Sequence, residues 1–461
     1  MAVSAKLSKK DEKFLDMSLN GNMMKVILYV GTPLALYQML SQLFTILDTM
    51  MAAHISKESV SAVAYLSQIN HILSAVGSGL AIGAGIQISR AFGEGNNLLV
   101  KKRVSSLYLL CLSVGVLMLV GILPFTGQFL KMAGTPESLI SVGTSYFVVQ
   151  MFTMVITFLN NVYIAVERAH GNSKLIFRLN ILVIIVKLSL TAYFVYILNS
   201  GLVMIAVASL ISQLVLLIVA VRNSIMGDGL FSFSLSAVST EKEVMGPMIK
   251  NSIPVVVEKA LFAFGKTIIN SMCTLYGDVM VGAMGVSNNL GGITTMPQNG
   301  YKDGAAAVMS QNYGAKKYKR VLDAFWSLLI INVLLGLVIS GFELWQLDFF
   351  AGLFDSGSAE FHEMIKLVYR YEALGAVPLG INSTVIALLY GLGKTDLTLF
   401  LNMARVFVFR IPVFWYLQNF TSFGQASVGI VMMVSNVSVA VLSIIVAAIV
   451  IVKFKNSTNC S

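Results

Sequence analysis

Twelve long apolar stretches recur along the chain, and they restrict its fold more than any other feature of the sequence. Each is about 20 to 30 residues long, enough for a helix rising about 1.5 Å per residue to cross a hydrocarbon core roughly 30 Å thick. Membrane-spanning β-strands need only about half that length. The sequence therefore predicts an all-α integral membrane protein with twelve transmembrane helices at 26–53, 60–89, 104–127, 139–164, 179–198, 202–221, 251–275, 280–309, 321–343, 364–390, 399–418 and 427–452.

Composition and charge support this prediction and exclude other classes of protein. Hydrophobic residues make up 56% of the chain and charged residues 12%, which is far from the composition of a soluble domain. Of the 32 Lys and Arg residues, 22 fall in alternate loops on one side of the predicted spans, and only Lys57, Lys131 and Lys366 fall on the other. Short cytoplasmic loops hold excess positive charge, so both termini are predicted to be cytoplasmic. The net charge of +10 then reflects topology, and no nucleic-acid partner is expected.

The two halves of the chain repeat each other. Residues that match at an offset of 221 are Pro33 and Pro254, Ala62 and Ala283, and Gly93 and Gly314. Residues that match at an offset of 222 are Gly171 and Gly393, and Asn180 and Asn402. Such a nearly constant offset predicts that one six-helix unit is present twice.

The repeat predicts how the chain is organised. Six spans are an even number, so both halves enter the membrane from the cytoplasm and are expected to be related by a pseudo-two-fold axis along the membrane normal. The prediction is a cytoplasmic amphipathic segment at 1–25, six-helix bundles at 26–221 and 251–452, a cytoplasmic linker at 222–250 and a cytoplasmic tail at 453–461. Two similar bundles that rock against each other open a central cavity to either side in turn, so this design favours an alternating-access transporter.

Four short segments resemble the multidrug and toxic compound extrusion (MATE) transporters, particularly the bacterial branch of that family. They are QLFTILDT at 42–49, GAGIQISRAFG at 83–93, LYGD at 275–278 and SQNYGAKKYKR at 310–320. Their order, spacing and duplication make the resemblance specific, and it extends over nearly the whole chain. The resemblance implies export of organic molecules, often cationic and amphipathic, in exchange for inward Na⁺ or H⁺, with no enzymatic step.

Asp48 in the first span is the leading candidate for ion coupling. Carboxyl groups at bilayer depth cost roughly 2.5 to 3.5 kcal/mol to insert, and desolvation allows them to bind a proton or Na⁺. In family members the matching acid is joined by an Asn and an Asp in the fifth span, whereas this chain has Lys187 and Thr191 there. If the Lys187 ammonium reaches Asp48, it takes the place of the coupling cation, which favours coupling to protons, or to no ion, over coupling to Na⁺. Alternatively, Lys187 contacts the substrate or extends to the membrane surface.

Other polar residues of the first bundle are candidates for the cavity wall. Asn161 in the fourth span and Asn180 in the fifth lie at plausible depth. Each can contact substrate, or it can make a hydrogen bond between helices, which is worth about 0.6 kcal/mol in membranes.

The second bundle carries more charge than the first. Lys266 in the seventh span maps by the repeat onto Thr45, one turn from Asp48, so it is expected to face the cavity. Glu258 and Glu372 are the residues nearest to the acids that some family members use as a second ion site. Alternatively, Glu258 beside Lys259 and Glu372 beside Arg370 are adjacent charges near helix ends that are solvated or pair locally. Several further ionisable residues lie in these spans: Lys259, Lys302, Asp303, Arg370, Arg405 and Arg410. Cationic side chains that face the cavity favour an anionic or zwitterionic cargo, unless pairing within the bundle cancels their charge.

We therefore expect a secondary antiporter that exports small organic molecules in exchange for H⁺, with Na⁺ less favoured. A flippase for lipids or lipid-linked oligosaccharides, from the same superfamily, is the alternative. We expect a monomer in the bacterial inner membrane, in contact with lipid, that is no enzyme and has no cofactor or metal. The glycines of the second span at 77–85 predict close helix packing rather than a nucleotide site.

Overall fold

The computed structural model describes residues 7–53, 57–133, 135, 137–225, 229–354 and 358–458. Within these ranges all regular secondary structure is helical. The α-helices are α1 (Lys9–Asn20), α2 (Met23–Ala53), α3 (Lys57–Gly93), α4 (Asn97–Ile122), α5 (Thr126–Met132), α6 (Glu137–Ala169), α7 (Ser173–Ala192), α8 (Val203–Ile225), α9 (Lys242–Cys273), α10 (Asp278–Gly314), α11 (Tyr318–Trp345), α12 (Leu347–Gly352), α13 (Ala359–Ala373), α14 (Ala376–Leu392), α15 (Thr395–Met403), α16 (Ile411–Phe420) and α17 (Ala426–Thr458).

The predicted spans coincide with long helices or with consecutive helices. Among the described residues, nine helices are long and apolar enough to cross a membrane, and α13 and α14, which meet at a bend of 47°, make a tenth. α9 and α10 are 32 and 37 residues long, but each carries several ionisable or amide side chains, which lowers its apolar character. Polar groups in spanning helices are expected at functional sites. The predicted twelve-helix, two-bundle fold is confirmed.

The backbone reproduces the repeat that the sequence predicts. α3 and α10 are both 37 residues long, and their first and last residues are 221 positions apart. Gly171 and Gly393, at an offset of 222, end equivalent helices in the left-handed region, with φ of 76° and 71°. Glycine adopts this conformation without the clash that a Cβ atom causes. Gly95 and Lys316, at an offset of 221, also have positive φ.

The chain divides into two compact units. The first unit comprises Met1–Met17 and Leu43–Ala260, and the second comprises Ser18–Gln42 and Leu261–Ser461. The six-helix bundles predicted at 26–221 and 251–452 follow chain order, whereas these units assign the first part of α2 to the second unit. They also assign the first part of α9 to the first unit.

Each unit has its own apolar core. In the first unit, Phe147, Met151 and Phe158 are fully buried along one face of α6, at the spacing of successive helical turns. In the second unit, Tyr369 of α13 and Phe414 of α16 are fully buried in one cluster. These cores hold the helices that carry the polar residues described below.

Close helix packing in the first unit depends on glycines of α3. A Cβ atom at Gly79 would lie 2.7 Å from the N and Cα atoms of Val256 in α9. A Cβ atom at Gly83 would meet the backbone of Ser252, whose hydroxyl donates a hydrogen bond to the carbonyl of Leu80 at 3.1 Å. Small residues let two membrane helices approach in this way. The packing role predicted for these glycines is confirmed.

Candidate functional site

Four charged side chains form one cluster in the second unit. Lys266 comes from α9, Glu372 from the end of α13, and Arg405 and Arg410 from the segment between α15 and α16. Each of these charges acts electrostatically on the other three. We call these residues the charged cluster. Because each charge costs roughly 2.5 to 3.5 kcal/mol to place in a spanning helix, the cluster is the strongest candidate site in the described ranges.

A π-helical turn brings the two arginines to the same side. The turn covers Ala404–Val408, between α15 and α16. The amide N–H of Phe409 donates to the carbonyl of Ala404 at 2.9 Å, a bond that spans five residues instead of the four of an α-helix. Residues five apart point about 140° away from each other on an α-helix, but a π-helical turn brings them nearly into line. Arg405 and Arg410 are five residues apart, so their side chains converge.

Both guanidinium groups bind Asn436 of α17. Arg405 donates to Asn436 Oδ1 from Nε at 3.2 Å and from Nη2 at 2.8 Å. Arg410 donates to the same oxygen from Nη2 at 3.0 Å, and from Nε to Ser435 Oγ at 2.9 Å. Asn436 and Arg410 are buried. These bonds therefore hold the two guanidinium groups in fixed orientations away from bulk water.

Glu372 is the single acid of the charged cluster. Its carboxylate accepts a hydrogen bond from the hydroxyl of Ser287 in α10. Its charge attracts those of Arg410, Arg405 and Lys266. One carboxylate against three cations gives the cluster a formal charge of +2.

The charged cluster is accessible on the side of Lys266. Lys266 is exposed, whereas Arg405 is half-buried and Arg410 is buried. The charges of both arginines act on the Lys266 ammonium. The Lys266 ammonium and the Arg405 guanidinium each lie 5.5 Å from the ring centroid of Phe262. Cations at this distance are attracted by the ring face. A cargo that reaches Lys266 would meet cationic groups beside an aromatic surface.

Sequence reasoning missed a second acid, Glu343. Glu343 lies in α11 and is 1% exposed. Its Oε2 accepts hydrogen bonds from the hydroxyl of Tyr369 and from Thr294 Oγ1, the latter at 2.8 Å. Its Oε1 has no hydrogen-bond partner among the described residues. The available signal was an acid that follows a long apolar run in its helix, but Glu343 was the last residue of its predicted span and so resembled a solvated helix end.

In the first unit, Lys187 and Thr191 lie on one face of α7 because they are four residues apart. Lys187 is half-buried. Thr191 is fully buried, and its hydroxyl has no hydrogen-bond partner among the described residues. The side chain of Asp48 lies outside the described residues, so the pairing of Asp48 with Lys187 stays a prediction.

The asparagines of the first unit make different contacts. Asn161 is half-buried in α6. Asn180 is buried and donates to the carbonyl of Ile176 in its own helix at 2.8 Å. The neighbour of Asn161, Asn160, makes the bond between helices, from Nδ2 to Gln213 Oε1 of α8 at 2.9 Å.

Glu258 and Glu372 do not belong to the same unit. Glu258 is buried in the part of α9 that belongs to the first unit, whereas Glu372 belongs to the second. Across the described ranges, no group of three or more His, Cys, Asp or Glu side chains has the arrangement of a metal site.

A titratable pair lies outside the apolar spans. His170 Nδ1 lies 3.2 Å from Asp11 Oδ1 of α1, and His170 Nε2 lies 2.7 Å from Glu167 Oε2. Burial alone would lower the pKa of His170, but its hydrogen bonds to the two carboxylates raise it to about 9. Burial alone would raise the pKa of Asp11, but hydrogen bonds from His170 and Ser8 lower it below its ordinary value of 3.8. The contact ties the part of α1 that belongs to the first unit to the end of α6.

The sequence model of one protein family, MatE, matches both halves of the chain. The matched residues are 33–194 and 254–416. The first range contains Lys187 and Thr191, and the second contains Lys266, Glu372, Arg405 and Arg410. The match therefore covers the repeat and most of the candidate site residues.

Individual relatives are similar at low identity. The chain is 22% identical over 289 residues to "Probable multidrug resistance protein YoeA" of Bacillus subtilis, covering 61% of this chain and 62% of that protein. It is 20% identical over 296 residues to "Multidrug export protein MepA" of Staphylococcus aureus, covering 64% of this chain and 65% of that protein. The matched regions thus span less than two thirds of these relatives. A crystal structure of MATE in complex with MaL6 superposes with a TM-score of 0.92 at 19% identity, over 97% of this chain and 100% of that one.

Proposed function

Because the chain belongs to the MatE family, we propose that it exports small organic molecules across the bacterial plasma membrane in exchange for protons. Both relatives described above are named as multidrug resistance or export proteins, which supports organic molecules as cargo. On this proposal the chain works as a monomer in contact with lipid, because one chain supplies both repeats. The excess of Lys and Arg in alternate loops supports cytoplasmic termini.

The observation that carries the proposal is the charged cluster of the second unit. Lys266, Arg405 and Arg410 lie with Glu372 in spanning helices, where charge is costly. A packed helix bundle does not need such groups for stability, whereas a transporter needs them to bind a polar cargo in a membrane. Accessibility of Lys266 supports the same role.

Alternating access is supported by the repeat. Pro33 in α2 and Pro254 in α9 occupy equivalent positions inside helices. Proline removes a backbone hydrogen bond and bends a helix, so equivalent prolines give the two repeats equivalent points of bending. The cargo site would open to the cytoplasm and to the outside in turn as these helices change their bend.

Protons are proposed as the coupling ion because of Lys187. Lys187 and Thr191 occupy the face of α7 where family members carry an amide and an acid. Because the Lys187 ammonium is positively charged, it repels Na⁺ from this face. On this proposal, the carboxylate of Asp48 takes up a proton from outside and releases it to the cytoplasm. Protonation of Asp48 removes the negative charge that attracts the Lys187 ammonium. The electrostatic attraction on α7 is therefore present when Asp48 is ionised and absent when it is protonated.

Dye efflux from bacterial cells that lack their own efflux pumps tests this function. Cells that express the chain are loaded with ethidium, a cation, or with fluorescein, an anion, and efflux is followed with and without a protonophore. We expect faster efflux of at least one dye than in cells with an empty vector, and loss of that difference with the protonophore. Lys187→Ala should reduce the efflux rate about tenfold, whereas Lys174→Ala, at an exposed lysine of the same helix, should not. An efflux rate that is unchanged by the protonophore but depends on Na⁺ would refute proton coupling.

A further inference from the structure

The charged cluster has more hydrogen-bond donors than acceptors. Asn436 Oδ1 accepts three N–H groups, two from Arg405 and one from Arg410, although an amide oxygen has only two lone pairs. Each guanidinium has five N–H groups, and Arg405 and Arg410 each use two of them in the bonds to Asn436 and Ser435. In the described part of the chain, the Lys266 ammonium has neither a hydrogen bond nor an ion pair. Donors are therefore left over for a ligand.

The charges are also unbalanced. Among the described residues, Glu372 is the one acid that acts on all three cations, and Ser287 also donates to it. Glu343 is near enough to interact with Glu372, but its carboxylate binds Tyr369 and Thr294 instead. If Glu343 is counted with the charged cluster, three cations and two ionised acids still leave a net charge of +1. An anion offsets this charge, whereas a cationic cargo increases the repulsion.

The available groups match an oxyanion. A guanidinium presents N–H groups in a planar fork that fits the two oxygens of a carboxylate, sulfonate or phosphate, and two such forks converge beside a lysine. Phe262 contributes an aromatic surface within 5.5 Å of Lys266 and Arg405. The ligand that suits these neighbours has an oxyanion group attached to an apolar or aromatic body.

We propose that the second unit binds an organic anion through Lys266, Arg405 and Arg410, with the apolar part of the ligand against Phe262. That this anion is the exported cargo rests on the proposed function, but binding itself does not depend on coupling to protons. The oxyanion replaces the counter-charge that the cluster lacks. Glu372 limits the affinity, because its charge repels the ligand, and so permits release.

Calorimetric titration of the purified protein in detergent tests the binding. The probes are naphthalene-2-sulfonate and a matched cation, 2-naphthyltrimethylammonium, which share the aromatic body and differ in the sign of the charge. We expect the sulfonate to bind at least tenfold more tightly than the cation. Arg405→Gln and Lys266→Gln should each weaken sulfonate binding at least tenfold. Lys302→Gln is the control, because the Lys302 ammonium is already held by Asn299 at 3.0 Å and Asp303 at 3.7 Å.

Two further variants keep the proposal testable if the arginine variants do not fold. Glu372→Gln removes the repulsive charge and should tighten sulfonate binding several-fold, the opposite of what general damage would cause. Asn436→Asp is nearly isosteric and supplies the missing negative charge, so it should abolish binding. Equal affinity for the two probes, or weaker binding in Glu372→Gln, would overturn the proposal.

A soluble anion and a lipid headgroup share the same oxyanion chemistry. Titration with a short-chain phosphatidic acid, alongside naphthalene-2-sulfonate, shows which of the two the charged cluster binds more tightly. We expect both to bind and to compete for the same residues, with the soluble anion displaced by the lipid. A lipid that binds without displacing the sulfonate contradicts a single oxyanion site.

The binding proposal and the proposed function can fail separately. Sulfonate binding without proton-driven efflux would refute the proposed function only. Proton-driven efflux of ethidium without sulfonate binding would refute the anion site only.

Discussion

Arg405 and Arg410 bind the same atom, Oδ1 of Asn436, at 2.8 and 3.0 Å. The first arginine belongs to a π-helical turn and the second immediately precedes α16, so both halves of an interrupted span are tied to α17. These hydrogen bonds therefore hold the interruption of the span against α17. It presents two cations to one side, which an unbroken α-helix does not do for residues five apart.

Replacing Asn436 with Ala tests this brace. The substitution removes the shared acceptor and leaves two guanidinium groups with unpaired donors, which costs about 1 to 3 kcal/mol. We expect a clearly lower melting temperature in detergent. Asn419→Ala is the control, because Asn419 is exposed and donates only to the carbonyl of Trp415 within α16. Equal melting temperatures for the two variants would contradict the bracing role.

The glycine contact between α3 and α9 predicts a second loss of stability. A methyl group at Gly79 would overlap the backbone of Val256, which cannot move without shifting α9. We expect Gly79→Ala to destabilise the protein by about 1 to 3 kcal/mol. Gly121→Ala is the matched control, because no atom lies within 4 Å of a Cβ atom there and alanine favours helix. A neutral Gly79→Ala, measured by thermal unfolding, would show that the helices do not pack this closely.

The contact between His170 and Asp11 predicts a pH dependence for the docking of α1. The pKa of His170 is raised from 6.5 to about 9, so its stabilisation is complete below about pH 6.5 and is lost as the pH rises through about 9. The shift corresponds to about 3 kcal/mol at most. Hydrogen exchange of residues 9–17 should be faster at pH 9.5 than at pH 6.5, after correction for the intrinsic rate. His170→Gln should remove most of this difference; an unchanged difference would exclude His170 as its source.

The hydrogen bond from Tyr369 to Glu343 predicts a further effect on stability. Tyr369→Phe removes one of two donors to a carboxylate that is fully buried, so the acid keeps only the bond from Thr294. Loss of a hydrogen bond to a buried carboxyl group costs about 1 to 3 kcal/mol. Thermal unfolding should report this loss, and Tyr416→Phe, at an exposed tyrosine of α16, should have no effect. If both variants unfold like the wild type, the Glu343 carboxyl does not depend on Tyr369.

Much of the fold was predictable because apolar length and repeat spacing are local properties of a sequence. The pairs Gly93 and Gly314, and Gly171 and Gly393, end helices at the predicted offsets. The expectation that Lys266 faces the cavity came from its repeat position, and the structure places it in the charged cluster, exposed on one side.

Three features were not predictable from the sequence. The π-helical turn at Ala404–Val408 depends on tertiary packing, and helical periodicity alone would point Arg405 and Arg410 apart. The role of Asn436 requires a contact across 26 to 31 residues of sequence. Glu343 was hidden because its burial depends on Tyr369 and Thr294, which come from two other helices.

Transport by the purified protein in liposomes tests the central claim most directly. Naphthalene-2-sulfonate and ethidium are supplied outside, and either a pH gradient or a Na⁺ gradient is imposed, with empty liposomes as the reference. We predict that a gradient with the interior acidic drives uptake of at least one probe into liposomes, that Na⁺ alone does not, and that Asp48→Asn abolishes the uptake. Uptake driven by Na⁺ without a pH gradient, or no uptake of either probe under the pH gradient, would contradict the account.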